Sequence, residues 1–187
     1  MRVVIAHCWT GHPWDGWYPQ AKLDLEALGH EVNVPCLPDT DTPDPSAWVS
    51  ALGCAIGERA SETLLVGHSL GALGMLHWLA SAAGNTAVRG LFLVAPPLAM
   101  TGIVEVDRFL RPAPDLSAVK GKSAQTAVLV SDSDKYLLPS PMTVAQQLAA
   151  AIDAQILVSV GKGHFSPASG LRALPELAAW VKANIDP

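Results

Sequence analysis

The chain has 187 residues, of which 50% are hydrophobic and 16% charged, and 12 Lys+Arg against 17 Asp+Glu leave a net charge of −5. That length suits one domain or two very small ones, and a domain of this size buries roughly 70% of its unfolded surface, so neither a disulfide nor a metal is needed to hold it. The low charge content excludes disorder, and without a basic cluster there is no footprint for phosphate, so no nucleic-acid partner is expected.

Strands and helices alternate along the chain. Residues 2–8 form a short apolar run rich in Val and Ile, which predicts a buried strand. A helix follows over 17–28, with Trp17, Ala21, Leu25 and Leu28 at helical spacing and Gly29 as a left-handed residue after its end. Residues 31–34 read as a strand closed by Pro35 and Pro38. Asp44-Pro45 is an N-cap followed by proline at the first helical position, and the helix runs on through Trp48, Leu52 and Ile56. A strand over 63–66 leads into a helix over 70–83, and 88–95 is a strand ending at Pro96-Pro97. A weaker helical segment covers 103–110. Then come a strand over 126–131, a helix over 140–151, a strand over 155–160 and a helix over 171–185. This order predicts a single α/β domain over 1–187, with a mostly parallel sheet of about six strands and helices on both faces. The stretch between Pro96 and Ser123 is too short for a cap domain, because compact domains begin near about 50 residues. An open site without a large lid is therefore expected.

Cys8, Cys36 and Cys54 are widely spaced and no C-x-x-C occurs, so neither a disulfide framework nor a zinc site built on such pairs is expected. Residues 1–6 lack the apolar core of about 7–15 residues that a secretory leader needs, which points to the cytoplasm. Residues 63–88 contain no Asp, Glu, Lys or Arg, but glycines, serines and histidines interrupt them. A buried strand running into a buried helix explains that stretch better than a membrane span.

Gly67-His68-Ser69-Leu70-Gly71 is a G-x-S-x-G between an apolar strand and an apolar helix, the setting of a nucleophile elbow. A serine needs a base to take its proton. Of 6 histidines, only His77 and His164 follow Ser69, as the order Ser, acid, His requires. His77 lies two turns along the helix after the elbow, where it packs or faces solvent. His164 sits between glycines and phenylalanine directly after the last strand, where a loop can return its imidazole over the sheet. Glu105, Asp107, Asp115, Asp132, Asp134 and Asp153 are the carboxylates between the two. Asp132 and Asp134 lie at the C-terminal end of a strand, the edge where open parallel sheets bind ligands. Asp134 is favoured as the partner of the imidazole. Asp132, nearer the strand, is better placed to bond backbone N–H groups of its own turn.

The oxyanion of an acyl transfer needs two backbone N–H groups. Leu70 follows the nucleophile, and Trp9 is chosen from the loop after the first strand. His12 and Trp14 of that loop are candidates to line the substrate site. Trp17 and Tyr18 fit either an acyl pocket or a packed helix. No ligand set for a metal is visible, and no cofactor is expected. Gly121-Lys122-Ser123 looks like the end of a P-loop, but Leu116 occupies the required first glycine.

These residues resemble the small serine hydrolases of the α/β-hydrolase superfamily related to retinoblastoma-binding protein 9. The likeness is carried by Trp17-Tyr18-Pro19, Gly29-His30-Glu31-Val32, Pro35-Cys36-Leu37-Pro38, the elbow, Ala95-Pro96, Ser131-Asp132-Ser133-Asp134-Lys135-Tyr136 and Gly163-His164-Phe165. The resemblance implies a compact domain without a large lid and a triad of Ser69, Asp134 and His164. One departure is His7-Cys8, where such enzymes read His-Gly and where a side chain bears on the first oxyanion donor. The resulting expectation is a cofactor-free cytoplasmic serine hydrolase that cleaves an ester or related acyl bond of a small molecule, free of nucleic acid and membrane. Amide or peptide cleavage and acyl transfer with the same triad are the alternatives, followed by a non-catalytic binding protein on the same scaffold.

Overall fold

Strands β1 (Arg2–Ala6), β2 (Glu31–Asn33), β3 (Thr63–His68), β4 (Gly90–Val94), β5 (Thr126–Ser131) and β6 (Gln155–Ser159) form one sheet in the order β2-β1-β3-β4-β5-β6. Every neighbouring pair is parallel. The structure is a computed structural model describing residues 1–84 and 86–185; Asn85, Asp186 and Pro187 lie outside the described residues. The helices are α1 (Tyr18–Glu26), α2 (Pro45–Ile56), α3 (Leu70–Ser81), α4 (Val104–Asp107), α5 (Leu116–Val119), α6 (Pro141–Ile152) and α7 (Pro175–Asn184). Helix α1 packs with α7, while α2, α3, α5 and α6 touch in series, so helices cover both faces. The strand order reverses at β1, because the first crossover runs outward to β2 and the next returns past β1 to β3. That switch point opens a crevice at the C-terminal ends of β1 and β3.

Local chemistry sets the helix ends. Asp44 accepts the Ala47 N–H at 2.9 Å ahead of Pro45, and Ser140 accepts the Thr143 N–H at 3.1 Å ahead of Pro141. Beyond α1, Gly29 has φ +85°, and the His30 and Gly29 N–H groups return to Leu25 and Glu26 at 3.2 and 2.9 Å. This double closure is a Schellman motif, which needs the left-handed residue that glycine supplies.

Several boundaries differ from the pattern. Strand β3 continues through Gly67 and His68, because their pairing with Ala6 and Val94 continues. Strand β4 begins later than expected, and Val88 makes only an isolated bridge to Ser123. Helix α7 starts at Pro175, since the residue before a proline is pushed out of the helical region; Leu174 has φ −131° and ψ 73°. Segment 103–110 divides into α4 and a 3₁₀ turn, Arg108–Leu110.

The first part of the charge-free stretch, residues 63–79, lies in the core. All of β3 is buried, and so are Leu70, Ala72, Leu73, Met75, Leu76 and Leu79 of α3. Among the described residues no helix is long and apolar enough to cross a membrane.

Candidate active site

The turn from β3 into α3 is tight enough to dictate its residues. Ser69 sits at φ 53°, ψ −113°, a conformation that a side-chain-bearing residue rarely adopts. A Cβ on Gly67 would lie 2.5 Å from Ala72 Cα, and one on Gly71 2.5 Å from the carbonyl oxygens of Ala6 and His7. The first glycine therefore lets the strand meet its own helix, and the second lets that helix meet the end of β1. Held there by its N–H bond to the Val94 carbonyl at 2.8 Å, Ser69 stands above the sheet edge.

His164 reaches Ser69 from the loop after β6. Its Nε2 lies 2.7 Å from Ser69 Oγ, and its Nδ1 lies 2.7 Å from Asp134 Oδ2. A carboxylate only accepts, so Nδ1 carries the proton and Nε2 is left to accept from the serine hydroxyl. Asp134 is itself fixed, its side chain buried and its Oδ1 accepting the Tyr136 N–H at 2.9 Å. The Tyr136 ring meets the imidazole edge-on at 5.1 Å.

The acid and histidine loops are tied to each other. Asp132 Oδ1 accepts the Gly161 N–H at 2.8 Å, Ser131 Oγ the Lys162 N–H at 2.9 Å, and Ser133 Oγ the Gly163 N–H at 3.1 Å. Asp132 therefore does not bond its own turn as expected. Ser131 pairs with Ser159 in the sheet, which brings the turn after β5 directly beside the chain leaving β6.

The loop after β1 is gripped from both sides of Cys8. Its carbonyl accepts from His7 Nδ1 and from the Gly11 N–H, each at 3.0 Å. The tautomer of His7 follows from its other nitrogen, because Nε2 accepts the Leu37 N–H at 3.2 Å. In a trans peptide the N–H points opposite the C=O, so the Trp9 N–H is turned away from His7 and Gly11. Among the described residues neither Trp9 N–H nor Leu70 N–H has an acceptor. Cys8 has no positive φ, so a side chain costs no backbone strain where glycine was expected. Burial pushes the Cys8 thiol up and the His7 imidazole down, leaving both neutral.

Cys8, Trp9, Asp15, Ser69, Ile103 and His164 are among the residues around a cavity of about 410 Å³. His12 and Trp14 do not line it. The Asp15 carboxylate accepts the His12 N–H at 2.8 Å and the Asp15 N–H returns to the His12 carbonyl at 3.0 Å, closing a turn that puts Asp15 at the cavity. His12 and Trp14 instead stack at 5.0 Å, with Trp14 65% exposed. Trp17 and Tyr18 are fully buried and begin a packed helix. His77 Nε2–H donates to the Phe109 carbonyl at 2.7 Å, and Lys122 caps α3 through the Leu79 and Ala82 carbonyls. Among the described residues no three His, Cys, Asp or Glu side chains are grouped to hold a metal ion.

The sequence pattern of the Serine hydrolase family matches residues 3–183. The chain belongs to that family. It is 26% identical over 180 residues to YdeN of Bacillus subtilis (strain 168), assigned as a hydrolase, covering 93% of this chain and 90% of that protein. The crystal structure of the ydeN gene product superposes with a TM-score of 0.89 at 24% identity, covering 100% of this chain and 99% of the other. A YdeN-like hydrolase of Pectobacterium atrosepticum gives 0.71 at 20% identity, covering 100% and 90%. At such identities the structures share the fold, that of the α/β hydrolases. These matches do not support the narrower likeness to retinoblastoma-binding protein 9. That likeness was carried by the other segments, such as Trp17-Tyr18-Pro19 and Pro35-Cys36-Leu37-Pro38, and by the chain length, which did not single out the branch.

Proposed function

We propose that this serine hydrolase cleaves a carboxylic ester or related acyl bond of a small molecule through an acyl-enzyme on Ser69. The observation that carries the reading is the unbroken chain from Asp134 Oδ2 to His164 Nδ1 and from His164 Nε2 to Ser69 Oγ, both links 2.7 Å. Ser69 Oγ attacks the carbonyl carbon while His164 Nε2 takes its proton. Asp134 holds the imidazole in the accepting tautomer and stabilises the imidazolium. The N–H groups of Trp9 and Leu70 receive the oxyanion. His164 then protonates the leaving alkoxide. Water, deprotonated by the same nitrogen, releases the acid and restores Ser69. No step uses a metal or cofactor, and neither nucleic acid nor a membrane takes part; the reaction is assigned to the cytoplasm.

A fluorophosphonate tests this, because it phosphonylates only an activated serine. Labelling is expected on Ser69 in folded protein and absent after denaturation; label on another serine, or none, overturns the triad. A panel of p-nitrophenyl esters beside the matching anilides separates ester from amide cleavage, and an added alcohol acceptor exposes acyl transfer. Ser69→Ala is expected to fall to the level that binding and the oxyanion hole alone give, about 10³–10⁴ over water.

A further inference from the structure

A second imidazole lies beside the proposed triad and takes no part in its chemistry. His68 is fully buried, one residue before the nucleophile. Its Nε2 lies 2.8 Å from the carbonyl oxygen of His164, and its Nδ1 lies 2.7 Å from the hydroxyl of Tyr18. Tyr18 Oη in turn accepts the Cys8 N–H at 2.9 Å.

The directions of these bonds follow from the donors available. A carbonyl only accepts, so His68 Nε2 carries the proton. Nδ1 then accepts, the Tyr18 hydroxyl donates to it, and the tyrosine oxygen is left to receive the Cys8 N–H. The line Cys8 N–H, Tyr18 O–H, His68 N–H, His164 C=O is fully satisfied with one proton per link. Burial pushes His68 down to about 3, with His164 and His7 adding the repulsion of like charge, so the ring stays neutral. The rings facing it are Tyr18, Trp17 and His164.

We infer that Tyr18 and His68 are positioning residues that brace the oxyanion loop at Cys8 against the main chain of His164. The inference rests on the serine hydrolase reading of Ser69. A buried histidine needs partners anywhere in a core, but here both ends of the line fall on peptides of the site. One end is the residue before the Trp9 donor, and the other is the base itself. The loop after β1 and the loop after β6 are thereby set at a fixed separation across the nucleophile, through His68 at the end of β3. Displacing either by about 1 Å costs on the order of 10² in rate.

Nitrogen-15 NMR of the wild-type imidazoles, read beside kinetics of Tyr18→Phe and His68→Asn, tests the brace. Tyr18→Phe cuts the link to Cys8. His68→Asn keeps an acceptor near Tyr18 and cuts the link to His164. Each folded variant is expected to lose about ten- to a hundredfold in kcat with KM within about threefold, since the loss falls on the chemical step. His68 is expected as the neutral Nε2–H tautomer, unchanged between about pH 5 and 8. A His68 with its proton on Nδ1, or charged at neutral pH, overturns the brace, and so does a folded Tyr18→Phe with wild-type kcat. If the variants do not fold, the wild-type tautomer alone decides. A wild type that no fluorophosphonate labels sinks the serine hydrolase reading instead, and the tautomer still reports whether the line exists.

Discussion

Asp132 and Asp134 stand two positions apart and hold different groups. Asp134 fixes the imidazole of His164, whereas Asp132 holds the Gly161 N–H. Asp134→Asn is expected to fold and to lose up to about 10⁴ in kcat, because the amide can donate to Nδ1 and permit the wrong tautomer. Asp132→Ala removes one acceptor from an exposed bond and is expected to stay within about tenfold in activity, with a stability loss of about 1 kcal/mol. Steady-state rates and urea unfolding of both proteins decide, and a reversed ranking makes Asp132 the triad acid. His68 has its own signature. Its folded pKa, about 3, lies below the ordinary 6.5. Between those values the unfolded chain binds a proton that the folded chain refuses. The contribution is therefore complete above about pH 6.5 and is lost as pH falls toward 3, by up to ~1.4 kcal/mol per unit. The direction for His7 is the same. Urea unfolding between about pH 4 and 7 should give a shallower slope for His68→Asn than for wild type; equal slopes would mean that the wild-type ring is charged when folded. Ser69, Asp134 and His164 were legible because acyl chemistry uses those residue types and a strand–elbow–helix scaffold carries them in that chain order. The partners of Asp132 and Tyr18 were not, because they lie 29 and 50 residues away and nothing in the local pattern announces them. Asp15 escaped the sequence for a nearer reason: the aromatic pattern singled out His12 and Trp14, while the turn they share sets Asp15 at the cavity.

The elbow shows how far an element's chemistry is written in its glycines. A methyl on Gly71 would meet the backbone oxygens of Ala6 and His7 at 2.5 Å, and neither can move without shifting β1. Gly71→Ala is expected to lose roughly 1–3 kcal/mol and to lose fluorophosphonate reactivity beyond what its unfolded fraction explains, because His7 also grips the Cys8 carbonyl. Gly84→Ala, where nothing lies within 4 Å, is the control and should melt with wild type. Thermal melts together with labelling rates at a temperature where both proteins are folded check the pair; wild-type reactivity in Gly71→Ala would show that the end of β1 does not position the site. Elements with a long apolar period were readable, and so were those with an N-cap, as at Asp44 and Ser140. Helix α5 and the 3₁₀ turns Gly57–Glu62 and Pro167–Ser169 are too short to repeat any period. Helix α5 is held by its Asp115 cap and by packing against α3 and α6.

Across the molecule, the alternation of strand and helix made the parallel sheet legible, but not the packing of the segment between β4 and β5. Its shortness excluded a cap domain; folded, it forms one wall of the cavity through Thr101, Ile103 and Val106. That wall is anchored. Asp107 accepts from the Thr101 N–H at 2.7 Å, the Thr101 hydroxyl at 2.9 Å and the Gly102 N–H at 3.1 Å. Behind it, His77 holds the Phe109 carbonyl, and the buried Phe109 ring meets Trp48 edge-on at 5.6 Å. Both oxygens of the Asp107 carboxylate hold this wall against opening at a lipid surface. The rate on a short-chain ester is therefore expected to rise smoothly through the concentration at which the ester forms micelles, and a jump there would show that the wall moves as a lid. Asp107→Ala releases Thr101 and Gly102 and should loosen the wall without touching Ser69, His164 or Asp134. The expected result is a KM raised about tenfold with kcat within about threefold, the pattern of lost ground-state binding. A kcat that falls while KM holds would place this segment in the chemical step and refute its assignment as a binding wall.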